Sequence, residues 1–157
     1  MRKLVLASLA AASVAAAVGG ATLATAQEKE KATGITAYRQ SVMDSFGADS
    51  KALKTLLIDG EGPVDLAPLH VQYMIDMAPH IPDLFPEGGD NKGSHALPAV
   101  WKDREGFKQA ADNFKTKAEA LLAATEGGDK KEMAMAYAAL GKEGCGGCHN
   151  DYREKED

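Results

Sequence analysis

Apolar residues recur at close to helical spacing along most of this chain. Ile35, Tyr38, Val42, Phe46, Leu53, Leu56 and Leu57 predict a helix over residues 33–58. The run Asp59, Gly60, Glu61, Gly62, Pro63 breaks it. A second helix over residues 63–79 carries Leu66, Leu69, Met74, Ile75 and Met77, with Pro68 in its first turns, where the ring is tolerated. Residues 80–97 hold prolines and glycines without periodicity and read as a loop. Trp101, Phe107, Ala111, Phe114, Ala118, Leu121 and Leu122 place a third helix over residues 98–124, stopped by Glu126, Gly127, Gly128 and Asp129. Asp129 is the expected N-cap of a fourth helix, with Glu132 as its capping-box partner, and Met133, Tyr137 and Leu140 form the apolar stripe. Strand-like alternation is nearly absent. Long amphipathic helices joined by short links predict an all-α, antiparallel four-helix bundle.

The first residues follow another pattern. Arg2 and Lys3 precede an apolar, alanine-rich stretch, and Ala24, Thr25 and Ala26 give a small-x-small cleavage site before Gln27. Small residues dominate and a polar flank follows, so residues 1–26 are expected to be a cleaved signal peptide rather than a retained anchor. Residues 27–157 are then one exported domain, expected in a periplasm, and long enough to bury a real core. No later segment is apolar enough to insert in a membrane. The chain carries a formal net charge of −5, and loss of Arg2 and Lys3 makes the remainder more acidic still. Such a surface repels phosphate backbones and anionic headgroups, which excludes nucleic acid and leaves a basic protein as a suitable partner.

The chemistry concentrates in EGCGGCHNDYREKED at the C-terminus, which holds the only two cysteines, Cys145 and Cys148, followed by His149. A disulfide there would close a loop too small to constrain the unfolded chain much. A zinc site would need a fourth ligand from His70, His80 or His95, none of which forms a ligand-spaced pair. A thioredoxin-type dithiol normally accompanies a βαβ pattern that is missing here. The contiguous Cys-x-x-Cys-His string is instead the attachment signature of c-type haem. On a helix, Cys145 and Cys148 lie on adjacent turns, and His149 shares the face of Cys145, so two thioethers and an axial ligand can come from one element. Gly141, Gly144, Gly146 and Gly147 each cost a helix about 0.5–1 kcal/mol against alanine, which suits a helix approached by something bulky such as a porphyrin. No nucleophile–base grouping and no phosphate-binding loop is evident, Gly88 and Gly89 lying in an acidic segment, so a non-enzymatic protein is expected.

With these residues in place, the chain resembles the class II c-type cytochromes, the cytochrome c′ family and its low-spin relatives, which carry the haem motif near the C-terminus. The ending Cys145-Gly-Gly-Cys148-His149-Asn-Asp-Tyr152-Arg153 is similar to the family's, as are Tyr38-Arg39-Gln40-x-x-Met43, Leu84-Phe85-Pro86 and Ala96-Leu97-Pro98-x-x-Trp101. The resemblance implies one haem c per chain, bound through Cys145 and Cys148, with His149 as proximal iron ligand. It implies Arg39 beside the haem propionates, where a guanidinium fork suits a carboxylate. Tyr152 and Trp101 would pack around the porphyrin, and Arg153 would either tune the iron or favour the helix end. Met43 resembles the distal position. With its thioether on the iron the protein would shuttle single electrons between redox partners; left unbound, it would line a five-coordinate site for nitric oxide or carbon monoxide. Ligation by Met43 is the expectation here. Family members also dimerise through their first two helices, for which Leu53, Leu56, Leu57, Leu69 and Met74 would serve as surface or equally as core.

Overall fold

A computed structural model describes residues 31–89 and 93–155. The expected signal segment, residues 1–26, lies outside the described residues. The first helix, α1, spans Gly34–Lys54, with Lys51 and Lys54 in its last turn, where cations suit the free carbonyls. It runs on into a π-helical turn, Thr55–Asp59. The second, α2, spans Ala67–Met77 with Pro68 in its first turn, and 3₁₀ turns flank it on both sides.

The helix predicted over residues 98–124 is two helices, α3 (Ala99–Lys102) and α4 (Arg104–Gly127). Asp103 divides them. Its side chain accepts the Gly106 N–H at 3.1 Å as an N-cap and takes a second hydrogen bond, 3.0 Å, from the Tyr152 hydroxyl. A residue so engaged leaves helical geometry. α4 ends at Gly128, whose φ of 76° is a conformation a side chain resists. Asp129 then caps α5 (Lys130–Ala139), accepting the N–H groups of Lys131 and Glu132 at 2.9 Å each. Another π-helical turn, Leu140–Cys145, leads into α6, Gly146–Tyr152.

These elements make a four-helix bundle of α1, α2, α3 with α4, and α5 with α6. α4 is its centre, packing on α2, α5 and the segment around Cys145. Leu53, Val71, Met74, Val100, Leu121 and Leu140 are essentially withdrawn from water, each contributing about 1.5–3 kcal/mol by burial. Of the residues that suited either core or surface, Leu53, Leu57 and Met74 are core, Leu56 is half-buried, and Leu69 is 68% exposed.

Side chains hold the long loop before α3. Arg104 donates to the carbonyls of Phe85 and Pro82 at 3.1 and 3.2 Å, and the Trp101 indole donates to Pro86 O at 2.8 Å. The C-terminus folds back beside that loop. Leu97 N–H bonds to Tyr152 O at 3.0 Å and Glu154 N–H to His95 O at 2.8 Å, around an isolated antiparallel bridge between Ala96 and Arg153.

Candidate functional site

A cavity of about 570 Å³ lies between α1, α4 and α6, within the roughly 300–1,000 Å³ that cofactor sites occupy. The π-helical turn contributes Cys145, its last residue, α6 contributes Cys148 and His149, and α1 contributes Arg39 and Met43. All five residues predicted for the site therefore line one space. Phe46, Phe85, Phe107, Phe114, Met74 and Ile81 make most of its wall apolar. The rings interlock: Phe46 meets Phe114 at 5.3 Å, Phe85 meets Phe107 at 4.9 Å, and Phe107 meets Tyr152 at 5.1 Å between centroids. Such packing makes a stiff wall for a flat apolar ligand.

One region of the lining is polar. Arg39 is only 4% exposed. Its guanidinium donates to Leu84 O at 3.1 Å, Ser94 Oγ at 2.9 Å and Thr36 Oγ1 at 3.3 Å, and lies 4.3 Å from the centroid of the Phe85 ring. The residue expected beside a carboxylate thus also fastens the loop to α1. Gln40 adds a bond to Gly93 O at 2.8 Å.

The two thiols are half-buried while His149 is exposed. Burial pushes the Cys145 thiol up. It pushes Cys148 up to about 11, with the charges of Cys145 and Asp151 adding to the effect. Both sulfurs are consequently protonated and poorly nucleophilic at neutral pH.

The glycines divide by neighbour. A Cβ on Gly144 would lie 3.1 Å from Leu140 Cδ1 and 3.4 Å from Phe114 Cδ2, so this glycine lets α4 approach as well as lining the cavity. Gly141 has nothing near it, and Gly146 and Gly147 have ordinary contacts only.

The other histidines separate clearly. His70 Nδ1 is 2.7 Å from Asp49 Oδ1, linking α2 to α1 outside the cavity. His80 is exposed beside Asp83. His95 lines the cavity, with Glu154 3.5 Å away. Sequence reasoning passed it over as a site residue because no ligand spacing marks it; its place comes from the C-terminal bridge. Among the described residues no three His, Cys, Asp or Glu side chains converge on one point. A second hollow of about 490 Å³ between α4 and α5 is lined by alanines, Glu132 and Met135, with no thiol or imidazole.

Two thiols and an imidazole on one helix, a thioether from another, aromatic walls and an arginine fit an iron porphyrin with carboxylate side chains. Comparison with known proteins agrees. The family described as Cytochrome C′ matches residues 34–153. Cytochrome c-556 of Agrobacterium fabrum is 35% identical over 127 residues, 80% of this chain and 84% of that protein. Cytochrome c′ of Pararhodospirillum photometricum is 34% identical over 120 residues, covering 74% of this chain and 94% of its own. The crystal structure of cytochrome c′ from Rubrivivax gelatinosus superposes with a TM-score of 0.67 at 28% identity, covering 76% of this chain and 94% of that one.

Proposed function

This chain belongs to the cytochrome c′ family, and from that premise we propose that it is an exported carrier of single electrons with His149 and Met43 as its iron ligands. The family binds haem c covalently, and Cys145 and Cys148 fit its attachment motif. Haem supplies a one-electron Fe(III)/Fe(II) couple whose potential depends on axial ligands, hydrogen bonding and burial.

The observation that carries the reading is the shared lining: Met43 from α1 and Cys145, Cys148 and His149 from the C-terminal helix face the same space. Cys145 and Cys148 would hold the group at its edge and His149 would bind iron. Met43, half-buried, would supply the sixth ligand and leave no open position for a substrate. The aromatic wall excludes water, and Arg39 with Gln40 would receive the carboxylates. A signal-like leader at residues 1–26 supports export to the periplasm, and among the described residues no helix is long and apolar enough to cross a membrane. Exposed apolar residues of α2 and the end of α1 support a homodimer.

A second reading draws on the apolar wall around Met43, formed by Phe46, Phe114 and Met74. If Met43 stays off the iron, that wall makes a distal pocket for small neutral gases such as nitric oxide or carbon monoxide. Absorption spectra decide between the two. Electron transfer predicts sharp low-spin bands in the reduced protein, unchanged by carbon monoxide and lost in Met43→Ala. A broad high-spin spectrum that shifts on adding carbon monoxide would sink Met43 ligation and leave gas binding.

A further inference from the structure

The segment that delivers the cysteines departs from regular helix just before the first of them. Gly146 N–H bonds to Gly141 O, five residues back, closing the π-helical turn Leu140–Cys145. A π turn holds one more residue than an α turn, so everything after it is rotated by about one residue's share of a turn, roughly 100°. Which way Cys145, Cys148 and His149 face is therefore set by whether this turn forms.

Such turns are rare, and this one has support from outside its own helix. Here α4 supplies it at a single residue. Asn113 Nδ2 donates to the Glu143 carbonyl oxygen at 2.7 Å, and Lys117, one turn further along α4, forms an ion pair with the Glu143 carboxylate. Between them, Gly144 packs bare against Phe114 and the Lys117 stem, where a Cβ would stand 3.4 and 3.5 Å from those side chains. Glu143 is thus held by main chain and side chain together, two residues before the first thiol.

We propose that Asn113 and Lys117 are positioning residues for the attachment helix: clamped on Glu143, they hold the π-helical turn that sets the rotational phase of Cys145, Cys148 and His149. Neither residue lines the cavity, so their effect reaches the cofactor through the attachment segment: through this turn for Lys117, and for Asn113 also through its place beside Gly147, where a Cβ would stand 3.6 Å from Asn113 Nδ2. The inference rests on reading Cys145, Cys148 and His149 as the haem-holding set. Looser support lets water reach the proximal side, and water favours the more highly charged ferric state.

The test uses exported holoprotein: wild type, Asn113→Ala, Lys117→Met, the double variant, Asn113→Gln as a partial restoration of the amide, and Lys115→Met as control. Lys115 forms a comparable ion pair with Glu119 on the same helix but away from the turn. Acid-acetone extraction, reduction potential and visible band shape are measured for each. The expectation is covalent haem throughout, with a lower potential and broader bands in Asn113→Ala and Lys117→Met. The double variant should change most, Asn113→Gln should recover part of the change, and Lys115→Met should match wild type. Unchanged potential and bands in both single variants, whatever happens to their melting temperatures, would overturn the clamp as a positioning device. Haem that extracts from the wild type would overturn instead the reading on which it rests.

Discussion

Burial sets the state of the two thiols, and this can be read in the haem-free chain. Cys148, pushed up to about 11 from an ordinary value near 9, keeps its proton in the folded protein at pH values where the unfolded chain has lost it. The folded state then binds more protons, so the contribution to stability is full below about pH 9 and is lost as pH rises toward about 11. Urea unfolding of haem-free wild type and Cys148→Ala should show a gap between them that narrows across that window. With the sulfurs converted to thioethers nothing remains to titrate, and the holoprotein should show no such component. An equal gap at pH 8 and pH 11 in the haem-free pair would refute the assignment. Alkylation of Cys148 at pH 8 should likewise be slower in the folded than in the urea-unfolded chain. At this scale the sequence was most legible, because Cys145, Cys148 and His149 fall within five residues and the two cysteines fit a haem attachment motif by spacing alone. Arg39 was less so. Its resemblance to a first-helix arginine gave the place, but its bonds to Leu84 O and Ser94 Oγ depend on a loop 45 to 55 residues away.

Helices were legible where their cause is local. The stripe Phe107, Ala111, Phe114, Ala118 and Leu121 is buried as its period requires, and Asp129 caps α5 through its own neighbours. The π-helical turn before Cys145 and the division at Asp103 were not foreseen, since each is met by a residue distant in sequence: Asn113 and Lys117 on Glu143 at one, Tyr152 on Asp103 at the other. The glycines show the same contrast and give opposite predictions for one substitution. At Gly141, which has nothing within contact distance, alanine should stabilise by about 0.4–1 kcal/mol by restricting the unfolded chain. At Gly144 the added methyl meets fully buried Leu140 and Phe114. Overpacking of about 1–3 kcal/mol should outweigh that gain and leave Gly144→Ala less stable than wild type. Denaturant midpoints of the two holoprotein variants test the pair. A Gly144→Ala protein as stable as Gly141→Ala would mean that the Leu140 side chain yields at this contact.

For the whole molecule, the distribution of exposed apolar side chains separates the cavity from a second surface. Ile58 in the π-helical turn after α1, then Leu66, Leu69 and Tyr73 on and before α2, remain exposed, Leu69 at 68%, and none of them lines the cavity. Where exposed apolar residues gather on one region of a surface they mark a contact site. A second copy of the chain would supply a matching apolar face through a two-fold axis, since an isologous interface uses the same patch on both partners. The formal net charge of −5 would suit a basic partner whose association weakens as salt rises. Sedimentation equilibrium should find a dimer in the wild type and a monomer in Leu69→Lys, because a charge buried in an apolar seam without a partner is expensive. The haem spectrum and reduction potential of Leu69→Lys should match wild type, since the substituted surface and the cavity share no residue. A wild type that sediments as a monomer would remove the two-fold interface. A spectral change in Leu69→Lys would show instead that α2 transmits the contact to Met74, which lies in α2 and lines the cavity.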